Sequence, residues 1–321
     1  MRNKVSALFT IFIALSPIIY LHSFKPVIKF EPHSKVELVI LGNVQDAGSP
    51  HIACTKKCCS SLHKKGKPKR KVVSMGIIDY LNNKKFLIDA TPDFPEQVFL
   101  LNSICCSEDN QIPDAIFLTH AHIGHYTGLM YLGKEGMNAH SVLIYLMPRF
   151  KSFFENNGPW NQLVNLNNVS LIALKNNTTV DISTNVSVIP FIVPHRDEYS
   201  ETVGYKIIGK HKSAIFIPDI DKWEKWEVNI IDQIKEVDYA FIDGTFYDQQ
   251  ELPNRKMSEI PHPFIVESIE LFSLLNETEK NKIYFIHLNH TNPTLEEKSK
   301  ESKWIKKLGF NVAREGERFD L

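Results

Sequence analysis

The chain has no excess of charge of either sign: 37 Lys and Arg balance 37 Asp and Glu, for a formal net charge of 0 over 321 residues. That balance argues against a protein held to nucleic acid by a basic surface, although a local patch would survive the sum. Cysteine is scarce as well, and five in so long a chain do not make a disulfide scaffold. No internal repeat, coiled coil or low-complexity tract is present. Core material is plentiful: 43 % hydrophobic and 11 % aromatic residues exclude a disordered or collagen-like chain and suffice for one large α/β domain or two modest ones.

The amino terminus stands apart. After Met1-Arg2-Asn3-Lys4, residues 5–21 carry no charge and are mostly apolar. A short basic head before such a run predicts a signal peptide or an N-terminal membrane anchor within residues 1–30, and so an exported protein, periplasmic or extracellular, with possible attachment to a membrane. Pro17 interrupts the run and no A-x-A signal follows, which leaves cleavage and retention both open.

Residues 31–321 read as one mixed α/β domain. β-type runs are expected at 36–41, 72–78, 85–89 and 112–119, and a short helix follows to Gly133. A basic, turn-prone connection is expected at 61–71, and 160–190 reads as short β-like pieces between Asn-rich turns. A hairpin at 203–217, helical spacing at 222–237 and 263–275, strands at 239–242 and 283–286, and a charged helix at 296–308 stopped by Gly309 complete the series. No linker divides these elements.

The strongest chemical signal is Leu118-Thr119-His120-Ala121-His122-Ile123-Gly124-His125-Tyr126-Thr127-Gly128. Three imidazoles so close together converge only where a loop folds them inward, and neutral imidazole suits Zn²⁺, Mn²⁺ or Fe²⁺. Further acids and histidines stop other apolar runs: Asp89, His195, Asp219, Asp243 and His287. Strand ends at one sheet edge are rigid places to hold ligands. His140 and His211 have no such context and read as solvated or structural.

On these residues the sequence resembles the metallo-β-lactamase superfamily, whose loop signature is H-x-H-x-D-H. It is most similar to the branch of coenzyme PQQ synthesis protein B and the cyclic-phosphodiesterase and tRNA 3′-processing hydrolases. The resemblance covers nearly all of 36–321. It implies a four-layer αββα sandwich with the metal centre at one sheet edge. It also implies His120, His122 and His195 as ligands of a first metal and His125, Asp219 and His287 of a second, with Asp219 placed to bridge both. The usual loop aspartate falls on Gly124, which removes one carboxylate from the second position, so that position is expected to bind its ion more weakly or to hold a different metal. Asp243-Gly244-Thr245 and Ile260-Pro261-His262-Pro263 resemble the region of the tRNA-processing branch where an acid orients a proton-transferring histidine. On chemical grounds His262 is the candidate acid, with Asp243 fixing its tautomer, or else a histidine that shapes a loop between two prolines.

Cys54, Cys58 and Cys59 form a second group. Three thiolates with one distant ligand can wrap a zinc ion, and oxidation or free thiols are the competing reading. Relatives in the same branches imply a structural zinc here, with His290 of His287-Leu288-Asn289-His290 as fourth ligand. Because Cys58 and Cys59 are adjacent, which of them ligates is left open. Cys105-Cys106 have no ligand-like spacing and are expected to be paired or buried.

The function expected from all this is a metal-dependent hydrolase of a small-molecule ester, a phosphodiester above all, with one or two divalent ions activating water. Lactone, lactam and thioester substrates stay open. Asp219 is placed to bridge metals or to position water. Arg196 is the sequence-near candidate for an anionic substrate, or else neutralises Asp197 or Glu198. An iron-dependent oxygenase like the PQQ-synthesis branch, suggested by the missing loop aspartate, and a non-catalytic envelope protein that binds a metal or ligand are the alternatives.

Overall fold

The structure, a computed structural model, describes residues 36–64, 66–67, 69–105 and 111–321. The expected leader or anchor and Cys106 lie outside the described residues. Among the described residues no helix is long and apolar enough to cross a membrane.

The apolar runs form two seven-stranded mixed sheets. The first contains β1 (Val36–Gly42), β2 (Ser74–Asp79), β3 (Lys84–Ile88), β4 (Ala115–Phe117), β5 (Val142–Leu146), β6 (Val169–Ala173) and, at the edge beside β1, β14 (Arg318–Asp320). The second contains β7 (Val180–Asp181), β8 (Ser187–Ile192), β9 (Val203–Ile208), β10 (Ser213–Ile217), β11 (Tyr239–Asp243), β12 (Ile283–Ile286) and β13 (Asn311–Val312). The layers follow from side-chain alternation. In β1, Leu38 and Ile40 join the large core that also holds Phe86, Phe117, Tyr205, Ile215, Phe241 and Phe285. Their neighbours Val39 and Leu41 join a second core with Phe94, Val98 and Leu101 of the helix Phe94–Ile104 and Phe150 and Phe154 of the helix Pro148–Asn156. A strand covered on both faces has no polar side, which is why VELVIL reads as a nearly continuous apolar run. On the second sheet, the helices Ile230–Lys235, Ile265–Leu271 and Lys300–Lys307 contribute Ile234, Ile269 and Ile305. This is the αββα metallo-β-lactamase architecture.

Two expectations need correction. Residues 160–165, expected as β-type, form the helix Trp160–Asn165, which buries Leu163 and sets Trp160 against Tyr126 at a 4.8 Å ring separation. The helical stretch at 222–237 breaks into a 3₁₀ turn, Trp223–Lys225, and a short helix whose N-cap Asn229 accepts from the Ile231 amide at 2.9 Å. The basic connection is turn-rich and largely exposed as expected among its described residues, and ion pairs hold its end, Arg70 with Glu296 and Lys71 with Glu315. The helix at Lys300–Lys307 does stop at Gly309, whose φ of +88° suits a residue without a side chain.

The sheet directions create the site. Strands β3 to β6 run parallel, as do β10 to β13, and β8 runs the same way as β10 because β9 is antiparallel to both. Their carboxyl ends therefore reach one edge. Asp89 follows β3, His120 follows β4, His195 follows β8, Asp219 follows β10, Asp243 ends β11 and His287 follows β12. Register matches the ends across the sheets, with Ile88 opposite Phe117, Ile217 opposite Ile242 and Asp243 opposite Ile286. Asp89 and His287 leave their strands with φ of +65° and +62°. Left-handed backbone at two non-glycine residues is costly and marks a place where the surroundings impose the conformation.

Candidate metal centre

Asp219 is the hub. Its Oδ2 lies 3.4 Å from His120 Nε2, 3.2 Å from His195 Nε2 and 3.8 Å from His122 Nδ1, and His195 Nε2 is 3.3 Å from His122 Nδ1. The same Oδ2 is 4.0 Å from His125 Nε2 and 3.9 Å from His287 Nε2. All five histidines expected at the active-site metals thus converge on the carboxylate of Asp219. His140 and His211 stay exposed, away from it.

Asp46 was not expected. It lies in the loop after β1, and its Oδ1 is 3.3 Å from His125 Nε2 and 3.8 Å from His287 Nε2. The carboxylate that Gly124 does not supply has a counterpart here, because an acid from a different loop stands beside His125 and His287. The only sequence signal was indirect, namely that Gly124 leaves the histidine loop one acid short.

Polar partners behind the imidazoles fix their tautomers. Thr119 Oγ1 donates to Asp89, so it accepts from His120 Nδ1 at 2.9 Å and leaves the Nε2 lone pair facing inward. His125 Nδ1 bonds Asp89 Oδ2 at 2.7 Å. Thr245 Oγ1 donates to Asp243 at 2.7 Å and accepts from His287 Nδ1 at 2.8 Å. His195 Nδ1 faces Asp221 at 3.2 Å, and Asp221 in turn binds Lys225 at 2.9 Å. His122 is reversed: its Nε2 meets Glu198 at 3.1 Å, and its Nδ1 points to Asp219. Carboxylates and hydroxyls behind histidines are the usual support of a metal site. Asp89 and Asp243, flagged as strand-end acids, act in this support.

The inward atoms have nothing else to do. His120 Nε2, His125 Nε2, His287 Nε2, Asp46 Oδ1 and Asp219 Oδ1 are all buried without a hydrogen-bond partner among the described residues. Such atoms cost free energy unless a ligand satisfies them, and a donor set of neutral imidazoles and carboxylates suits a divalent cation. Charge agrees. Burial works against ionisation of Asp219, yet His195, His262 and His287 hold its carboxyl well below the usual range. Burial, then His125, keep His120 well below the ordinary imidazole value. Burial opposes charge on His195 and His125 too, but Asp219 and Asp221 push the first up to about 10, and Asp89 and Asp46 push the second up to about 10. A bound cation displaces those protons.

His262 stands on the other side of Asp219. Its Nδ1 is 2.8 Å from Asp243 Oδ2 and 3.2 Å from Asp219 Oδ1. Burial lowers its proton affinity, but Asp243 and Asp219 outweigh this and raise it above the ordinary histidine value. Asp243 also accepts from the Ile220 and Thr245 amides, at 3.2 and 2.8 Å. Arg196 lies 3.7 Å from Glu198 and 3.4 Å from His122 Nε2, so it neutralises the acid behind His122.

The three cysteines and His290 come together as a separate group, with one ligand atom from each inside a 4.8 Å span. Cys58 and Cys59 sit on the one-turn helix Lys57–Ser60, and both face the group. The Sγ of Cys58 is 3.8 Å from those of Cys54 and Cys59. Sulfurs bonded tetrahedrally to zinc at about 2.3 Å stand about 3.8 Å apart, so the spacing fits. Burial, then Cys54 and Cys59, push the Cys58 thiol up to about 12, so the three do not all ionise without a cation. Cys105 is buried and lies elsewhere.

The family described as "Beta-lactamase superfamily domain" matches residues 84–288, well over half of the chain. The chain belongs to the beta-lactamase superfamily. Within it, the chain is 25 % identical to coenzyme PQQ synthesis protein B of Acinetobacter baumannii (strain SDF), over 89 % of this chain and all of that protein. Zn²⁺-bound PqqB from Methylobacterium extorquens superposes with a TM-score of 0.70 at 23 % identity, over 89 % of this chain and 100 % of that one. A diphosphatase from the PhnP family gives 0.61 at 20 % identity, over 88 % and 96 %. Human tRNase Z, short form, gives 0.52 at 12 %, over 88 % and 98 %. At such identities the superfamily's fold is what these structures share with the chain.

Proposed function

We propose that this chain is a metal-dependent hydrolase of small-molecule esters, with phosphodiesters as its substrate class. The observation that carries the reading is the His262–Asp243 pair facing Asp219, a proton donor placed beside a metal-type donor set. His120, His122 and His195 would hold a first divalent ion, zinc, manganese or iron, and Asp219 would sit between it and a second. Such an ion supplies Lewis-acid polarisation of the scissile group and an activated water. The chain's own residues do the rest. Asp243 accepts from His262 Nδ1, which leaves Nε2 as the atom that meets a substrate. Asp243 and Asp219 raise the proton affinity of His262 above the ordinary histidine value, which favours the imidazolium form that would give a proton to a leaving oxygen. Thr119, Thr245, Asp89 and Asp221 hold the imidazoles in place, so little reorganisation accompanies the reaction.

Cys54, Cys58, Cys59 and His290 support a structural zinc as a second element of the reading. The oxygenase alternative draws on the similarity to coenzyme PQQ synthesis protein B and on a missing loop carboxylate; Asp46 removes the second support and leaves the first. A non-catalytic binding protein would leave His262–Asp243 without a task. We also propose export, on residues 5–21 alone; a periplasm-active reporter fused after residue 35 that stays inactive would overturn it.

The functional test is hydrolysis by the purified full chain, loaded separately with zinc, manganese and iron. Metal-dependent turnover of a phosphodiester that falls in His262→Ala is the expected result. No turnover of any phosphodiester, carboxyl ester or lactone with any of the three metals overturns the reading.

A further inference from the structure

In the histidine loop, Gly124 has no room for a side chain. A Cβ there would lie 2.2 Å from Asp46 Oδ1, 2.5 Å from Asp46 Cα and 2.8 Å from Asp46 Cβ. Two of those atoms belong to the body of the residue and cannot swing aside. Asp46 therefore occupies the volume into which a side chain at position 124 would project. Its use of that volume is unusual. Among the described residues Asp46 Oδ1 is buried with no hydrogen-bond partner, and so are the two imidazole nitrogens it faces, His125 Nε2 and His287 Nε2. The opposite nitrogens of both rings are committed, to Asp89 at 2.7 Å and to Thr245 at 2.8 Å. Three unsatisfied atoms from three separated loops thus face one another at 3.3 and 3.8 Å, with Asp219 Oδ2 within 4.0 Å of both nitrogens. Ligands sharing one tetrahedral ion at about 2.0–2.1 Å stand about 3.3 Å apart. Simple pairing of Asp46 with His125 explains one contact and leaves His287 Nε2 unsatisfied.

We propose that Asp46 is the carboxylate ligand of the second metal position, completing it with His125, His287 and Asp219, and that Gly124 is side-chain-free because Asp46 fills its place. The carboxylate has moved from the histidine loop to the loop after β1, and the two positions are mutually exclusive. This rests on the two-ion site of the hydrolase reading but not on hydrolysis itself. It replaces a weak second position by one with a full complement of acid.

The test is metal content and zinc affinity of the full chain after metal removal and reloading, with thermal unfolding of the metal-free proteins as a folding control. Wild type should take up one zinc more than Asp46→Ala, and Asp46→Asn, which keeps the shape but not the charge, should bind that ion at least about tenfold more weakly. Gly124→Asp alone should unfold at lower temperature, because the two side chains collide. The double variant Asp46→Gly, Gly124→Asp returns a carboxylate from the other side and should recover the lost ion. Unchanged stoichiometry and affinity in both Asp46 variants overturn the assignment, as does a wild type that binds no ion at this position. An Asp46-dependent ion in a chain that hydrolyses no ester supports the assignment and counts against the hydrolase reading alone.

Discussion

Thr119 and Thr245 perform the same task on opposite sheets. Each hydroxyl donates to a buried strand-end aspartate, Asp89 or Asp243, and accepts from the Nδ1 of a histidine aimed at Asp219, His120 or His287. The arrangement commits each hydroxyl's one proton to the acid, which forces the imidazole to carry its proton on Nδ1. Replacing either hydroxyl by a methyl of the same shape removes this control while leaving the packing intact. Thr245→Val should weaken the ion held through His287 by about 10- to 100-fold and spare the one held by His120, His122 and His195. Thr119→Val should do the reverse first. Zinc titrations of both variants check the pairing, and equal losses at both positions would show that the hydroxyls serve the fold instead.

A leaving-group series separates acid catalysis at His262 from binding. His262→Ala should lower turnover by roughly 10²- to 10⁴-fold on substrates with poor leaving groups and far less on activated ones. Equal losses across the series would point to positioning. Asp243→Asn is a harsher change than its neighbourhood in sequence suggests. Asp243 accepts from Ile220, Thr245 and His262 while fully buried, so this variant should lose stability as well as activity.

Removal of one thiol tests the structural zinc. Cys54→Ser should lower zinc content by one and the unfolding temperature with it, leaving the histidine-bound ions in place. Unchanged stoichiometry would mean free thiols or a disulfide.

Glu251 makes stability pH-dependent from outside the Asp219 centre, beside the turn that carries His290. Burial raises its carboxyl to about 7, against the lowering effect of bonds from Thr291 and the Tyr247 amide. A carboxyl raised on folding contributes most below its unfolded value, about 4.3, and that contribution is lost as pH rises through 7. Glu251→Gln should therefore flatten the stability curve between about pH 4.5 and 7 and gain relative to wild type above pH 7. Denaturant midpoints at several pH values give the comparison, and parallel curves would exclude Glu251 as the titrating group.

What the sequence revealed followed a single pattern. Apolar runs ending in His or Asp marked His120, His195, Asp219, Asp243 and His287, because parallel strands deliver their ends to one edge and a ligand there interrupts the run. Asp46 escaped because it follows no such run. It comes four residues after the glycine that ends β1, in a turn-rich loop, and its significance lies in contact with a distant glycine. The helix Trp160–Asn165 escaped for a different reason. Trp160, Leu163 and Val164 have helical spacing, but six residues among asparagines are too few for periodicity to decide.

The register of the parallel strands makes the centre an arbiter of correct folding. Asp243 and His287 face inward only while Asp243 pairs with Ile286 and Ile217 with Ile242. A slip of one residue in β11 would turn its side chains to the opposite face and carry Asp243 away from His262 and Thr245. Ions that need ligands from five strand ends at once bind only the sheet whose pairings are all right. Cation uptake at this centre would thus select the native alignment from near-native alternatives, and a misaligned chain would be distinguishable from the finished one by what it fails to hold.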